Sequence, residues 1–178
     1  WRGMFFVGVL PALLVLYIRS HVIESPAMAM IRQSAPKANL AASLRQHWKL
    51  AIYAILLMTA FNFFSHGTQD MYPTFLQVQH GFNTHAVSIL AIIANLGAIA
   101  GAFIFGFLSQ RIGRRRAIAL AAVLALPVLP LWAYSSTLAM LAAGGFLMQV
   151  MVQGAWGVVP VHLNELSPPE IRGTFPGV

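Results

Sequence analysis

Residues 87–116 read VSILAIIANLGAIAGAFIFGFLSQRIGRRR. Residues 87–108 hold no charged side chain, and the run then stops against Arg111, Arg114, Arg115 and Arg116. A helix rising 1.5 Å per residue needs roughly 20 apolar residues to cross the hydrocarbon of a bilayer. This stretch therefore predicts one membrane-spanning helix, ended by a short basic loop at residues 109–116. A buried helix of a water-soluble core would need a polar face on its neighbours, and the rest of the chain has little with which to make one.

Working outward, the same pattern recurs. The chain is 58% hydrophobic and only 8% charged, where soluble domains carry about 25% charged residues. Apolar runs at residues 4–18, 50–72, 117–134 and 138–161 predict further spans, and residues 173–178 read as the first turn of another. A long polar loop lies at 19–49, and a loop with Glu165, Glu170 and Arg172 follows the fifth run. Both ends are expected to be cut, so the chain reads as a fragment. With no Cys, disulfides and thiol chemistry are excluded. The fold class expected is all-α, a polytopic transmembrane helix bundle.

The basic residues fix the orientation. Arg19, Arg32, Lys37, Arg45 and Lys49 share one side with Arg111, Arg114, Arg115, Arg116 and Arg172, if successive spans alternate. Only Arg2, of the 11 Lys and Arg residues, falls opposite. Positive charge collects on the cytoplasmic side of membrane proteins. The net charge of +7 thus reads as topology, not as a phosphate-binding face, and no nucleic-acid partner is expected.

Within 87–108, Gly97 and Gly101 sit one helical turn apart, with Ala98, Ala102 and Gly106 on a neighbouring stripe. Small residues at this spacing let two helix backbones approach closely in lipid. Pro11, Pro127 and Pro130 inside spans are tolerated where neighbours satisfy the freed carbonyls. They favour a bundle over a lone anchor.

The loop Gly106-Phe-Leu-Ser-Gln-Arg-Ile-Gly-Arg-Arg-Arg116 resembles the major facilitator superfamily signature G-x-L-x-[D/Q]-R-x-G-R-[K/R]. Gly106 and Gly113 suit close approach or positive φ. Arg111 follows a helix end, where exposed carbonyls favour a cation. Gln110 cannot ionise as the family's alternative Asp does, so Arg111 is expected to turn to Glu165 or to helix-end carbonyls. Glu165 and Arg172 resemble the superfamily's E-x6-R element, and Glu24-Ser25-Pro26 its P-E-S-P element, with Val22-Ile23 in place of the first Pro. The resemblance implies a fragment of a 12-helix fold that works by alternating access of two six-helix halves. Residues 1–18 would end the N-terminal half as its sixth helix, 19–49 would form the central cytoplasmic loop, and 50–178 would be an incomplete C-terminal half. The missing N-terminal half is then a necessary partner, and residues 1–178 alone are expected to catalyse no uptake.

Residues 62–74, NFFSHGTQDMYPT, resemble N-x-x-[S/T]-H-x-[S/T]-Q-D-x-x-x-T, the signature of the lactate and pyruvate (monocarboxylate) proton symporters grouped with the sialate:proton symporters. Asn62, Ser65, His66, Thr68, Gln69, Asp70 and Thr74 all match. On a helix, Asn62, His66, Asp70 and Thr74 follow at i+4 steps with Ser65 and Gln69 beside them, while Thr68 falls off this stripe. Asp70 is the one acidic residue within a span, and ionisable groups in membranes face cavities or pathways by default. The competing reading is a polar contact between helices, or an Asp70 close enough to the interface to stay wet. The resemblance implies proton-coupled symport of a small carboxylate across an inner (plasma) membrane, with the lipid bilayer and a proton as further partners. A sialic acid or sugar transporter, and a membrane substrate sensor on the same fold, are the alternatives.

Asn95, Gln149 and Gln153 are polar residues within spans that suit either a cavity wall or interhelical hydrogen bonds. Trp132, Tyr134 and His162 are expected at the membrane interface. His80 and His85 lack a third ligand, so no metal site is expected. No cofactor motif and no nucleophile arrangement of an enzyme is present.

Overall fold

The computed structural model describes residues 2–21, 43 and 45–168, in two compact units, Trp1–Ala38 and Asn39–Val178. In the first unit, helix α1 spans Arg2–His21. The expected first turn at 173–178, the Glu24-Ser25-Pro26 element, Glu170 and Arg172 lie outside the described residues.

The second unit is built of apolar helices. α2 spans Trp48–Gln69 and α3 Tyr72–Val78; α4 spans Thr84–Ile112. α5 spans Arg114–Ala125, and a 3-10 turn at Leu126–Val128 leads into α6, Leu129–Ala133. α7 spans Leu138–Leu166. Among the described residues, four stretches are long and apolar enough to cross a membrane: Trp48–Val78, Thr84–Ile112, Arg114–Ala133 and Leu138–Leu166.

The spans differ from the sequence expectation at their ends. The run expected at 50–72 continues to Val78, so half of the expected loop at 73–86 is helical. Pro73 lacks an N–H and cannot bond the carbonyl of Gln69, and the α-helical pattern is interrupted at Asp70 and Met71. Asp70 (φ −70°, ψ −38°) and Met71 (φ −86°, ψ −14°) nonetheless stay near helical values, so α3 carries on the same rod after the break. Pro127 and Pro130 likewise divide the third span into α5, the 3-10 turn and α6. The basic loop expected at 109–116 shrinks to Gly113 between α4 and α5. Its φ of 90° turns the chain, in a region that other residues adopt at a cost. At the far end, Asn83 Oδ1 accepts from the Ala86 N–H at 2.8 Å and caps α4, as side-chain oxygens do at helix starts.

α7 is the hub. Gly97 and Gly101 of α4 lie directly against the α7 backbone at Phe146 and Val150, so that a Cβ on either glycine would collide with main-chain atoms. The small-residue stripe is a packing seam. Around it Phe61, Phe105, Ile118, Val150, Ala155, Val158, Val159 and Leu163 form the largest buried cluster. At the other end of α7, Tyr72, Leu76, Val87, Leu90 and Leu141 form a second. Outside these clusters the surface is apolar: Phe63, Phe107, Ile92, Ile99 and Val123 are exposed. Soluble monomers rarely expose contiguous apolar area on this scale; hydrocarbon tails are the matching surroundings.

Candidate functional site

Two sets of polar contacts show that the helices alternate in direction. At one end, the Tyr53 hydroxyl of α2 meets His162 Nε2 of α7 at 3.1 Å, and Arg114 Nε of α5 donates to Glu165 Oε1 of α7 at 3.1 Å. Arg114 also donates to Ser109 Oγ at the end of α4. The start of α2, the end of α4, the start of α5 and the end of α7 therefore share one end of the bundle. It is the end carrying Arg111, Arg114, Arg115 and Arg116. At the opposite end, the Tyr72 hydroxyl donates to the Leu141 carbonyl at 3.1 Å and its ring stacks on Trp132 at 4.9 Å.

Glu165 takes its ion pair from Arg114, not from Arg111. Arg111 lies in the last turn of α4, exposed, with no hydrogen bond or ion pair among the described residues. The single-residue turn at Gly113 explains the exchange: it starts α5 at once and brings Arg114 under α7, leaving Arg111 behind on the previous helix. A Cβ on Gly106 would meet nothing within 4 Å; the residue lines a crevice of about 300 Å³ together with Ser109, Gln110, Arg114 and Gly157. Arg115 is exposed.

The polar stripe of α2 divides into two parts. His66 Nδ1 and Asp70 Oδ2 are 2.8 Å apart, an i,i+4 pair with the two side chains 65% and 64% exposed. They lie on the face turned away from the packed core. Thr74 of α3 is exposed as well. Ser65 and Gln69 face inward instead: Gln69 Nε2 donates to Ser65 Oγ at 3.2 Å and to Gln149 Oε1 of α7 at 3.1 Å. Asn62 sits half-buried between these parts and donates to the Met58 carbonyl of its own helix at 2.9 Å. Thr68 is buried and bonds back to the Phe64 and Ser65 carbonyls, which agrees with its place off the stripe.

Several residues stand elsewhere than expected. His162, at the basic end of the bundle, is 5% exposed and packed between helices against Tyr53, not on the outer surface. Trp132 packs half-buried on Tyr72 and Phe75; of the three, Tyr134 alone is freely exposed. Asn95 donates to the Ala91 carbonyl of its own helix. His80 packs edge-on against Phe75 and stacks on Phe82. Sequence reasoning did not pair Tyr53 with His162. The only signal was that each is a polar aromatic at the basic end of its span.

Residues 41–178 match the family described as "Sugar (and other) transporter". The chain belongs to this family, within the major facilitator superfamily. It is 31% identical over 172 residues to the "Carboxylic acid transporter protein homolog" of Saccharomyces cerevisiae, covering 92% of this chain and 28% of that protein. The "Sialic acid transporter NanX" of Escherichia coli is 30% identical, over 100% of this chain and 44% of its own length. The "Probable 4-methylmuconolactone transporter" of Cupriavidus pinatubonensis is 31% identical, over 99% and 42%. The chain thus spans between about a quarter and a half of the length of these relatives. No solved structure matches the chain significantly. The family and these relatives are transporters, not enzymes, and this chain has several helices long and apolar enough to cross a membrane.

Proposed function

We propose that the chain forms part of a proton-coupled symporter for a small monocarboxylate such as lactate or pyruvate, with His66 and Asp70 as the shared proton and anion site. The observation that carries this reading is the 2.8 Å His66–Asp70 pair, held outward on a membrane-spanning rod in the sequence N-x-x-S-H-x-T-Q-D. A second support is the interruption of the helical hydrogen-bond pattern at Asp70 and Met71, which puts Asp70 at a weakened point of the rod.

The mechanism follows from charge. With the pair deprotonated, Asp70 carries the only charge, and a substrate carboxylate about 4 Å away is repelled by about 4 kcal/mol at an effective dielectric near 20. That is roughly a thousandfold in affinity. When the pair gains one proton, His66 becomes a cation beside the Asp70 carboxylate, the net charge of the pair falls to zero, and the anion binds at the imidazolium. His66 Nδ1 is held by Asp70, leaving Nε2 to face the substrate. Proton and anion then enter together, and loss of one expels the other. Any Arg or Lys clamp for the carboxylate would come from outside residues 1–178, since the Arg and Lys residues of the described spans stand only at their ends.

The test is uptake by the full-length protein in proteoliposomes under an imposed proton gradient. Accumulation of labelled lactate or pyruvate above equilibrium, abolished by a protonophore, is expected. Accumulation of sialic acid in place of these acids would favour the second reading, which rests on the likeness to the sialic acid transporter. Binding of substrate with no flux would favour a sensor.

A further inference from the structure

Gln149 lies in the middle of α7 and is only 9% exposed, with Gln153 one turn on as its polar neighbour along the helix. Its Oε1 accepts from Gln69 Nε2 at 3.1 Å, and the same Gln69 nitrogen donates to Ser65 Oγ at 3.2 Å. A glutamine side chain has two N–H donors on one nitrogen and one carbonyl oxygen. Both donors of Gln69 are therefore committed inward. Its Oε1 accepts no hydrogen bond, yet it is not among the buried polar atoms left without a partner, so it stays accessible. Gln69 is the i+3 neighbour of His66 and directly precedes Asp70. Side chains three apart on a helix are adjacent.

We propose that Gln149 is a positioning residue that turns the carbonyl of Gln69 toward the bound anion, so that the site prefers a carboxylate bearing a hydroxyl on the neighbouring carbon. The proposal rests on the monocarboxylate reading above. An oxygen acceptor repels a carboxylate, so the carboxylate goes to His66 Nε2. The same acceptor welcomes a hydroxyl donor beside that carboxylate. A keto oxygen offers no proton, and an unsubstituted carbon offers nothing, so both leave the Gln69 oxygen unpaired once water is displaced. Sites that hydrogen-bond a substrate hydroxyl discriminate strongly against analogues lacking it. Without Gln149 as acceptor, the Gln69 amide is free to rotate and present either end, and the preference disappears.

The test uses the full-length protein in proteoliposomes with 2-hydroxypropanoate, 2-oxopropanoate and propanoate, comparing apparent kcat/KM within each variant. Ratios within one variant do not depend on how much protein folds. Wild type is expected to favour the hydroxy acid by about fivefold or more, the worth of one net hydrogen bond. Gln149→Met keeps the length but removes the acceptor and should bring the ratio close to one. Gln149→Glu keeps an acceptor at the same reach and should retain most of the preference. If wild type transports all three acids without preference, or if Gln149→Met leaves the preference intact, the proposal is overturned while monocarboxylate transport stands. If wild type transports none of them, the monocarboxylate reading fails and this proposal falls with it.

Discussion

The two helices that frame the site are packed in opposite ways. In the most apolar stretch of the α2–α3 rod only 11% of residues are buried, against 44% in α7. α7 carries Gly144, Gly145 and Gly154, and receives Gly97 and Gly101 of α4 against its backbone. α2 carries Phe63 outward and the His66–Asp70 pair beside it. The difference teaches where this fold keeps rigidity and where it keeps chemistry. Association in lipid gains nothing from excluding water, so tight helix contact needs small residues and close van der Waals packing. The proposed exchange of a proton and an anion at the pair would need the reverse, a face its neighbours leave open.

The largest effect should come from breaking the seam. Gly101→Leu puts a side chain where the Val150 backbone stands, and backbone cannot step aside as a side chain does. A loss of about 3 kcal/mol or more is expected, seen as a large fall in melting temperature or in monodisperse yield of the full-length protein in detergent. Gly106→Ala, with open space around it, should be neutral or slightly stabilising in the same assay. Equal losses from the two substitutions would show that the seam is not what holds α4 to α7.

On the open side, stability should barely move while transport changes. Asp70→Asn keeps the size of a protonated carboxyl but fixes it neutral, so anion exchange should survive and proton-driven accumulation fall to equilibrium. His66→Ala removes the cation and should raise the apparent KM by roughly 10- to 100-fold, the worth of a hydrogen bond to a charged group. Counterflow and pH-jump uptake separate these outcomes. Concentrative, pH-dependent uptake that is unchanged in Asp70→Asn would make Asp70 structural.

A smaller effect tests the polar contact that ties α2 to the basic end of α7. Tyr53→Phe leaves His162, 5% exposed, without its partner, at a cost of about 1–2 kcal/mol in thermal stability. A shift indistinguishable from wild type would mean that the contact at 3.1 Å adds nothing to that anchor.

The smallest effect is expected at the arginines. Arg114→Ala loses the contacts to Glu165 and Ser109, but Glu165 is 52% exposed, so about 0.5–1 kcal/mol is at stake. Arg111→Ala should stay within about 0.5 kcal/mol of wild type. The reverse order in a chemical or thermal melt would restore Arg111 as the partner of Glu165.

The sequence by itself determined the all-α membrane bundle, the family and the residues of the stripe. Span length, the placement of Arg and Lys, and the i+4 spacing of Asn62, His66 and Asp70 are local quantities, written in consecutive residues. It also marked Gly97 and Gly101 as a seam, because only small residues serve there. Tertiary structure decided what those residues touch. That Gln69 turns inward to Gln149 while its neighbour Asp70 turns outward depends on how α2 is rotated against α7. That Arg114 and not Arg111 reaches Glu165 depends on the one-residue turn at Gly113. That His162 is buried depends on Tyr53 arriving from a helix far away in sequence. Rotation and pairing of helices are set by the sum of many weak contacts between distant segments, and no single stretch of chain carries that sum.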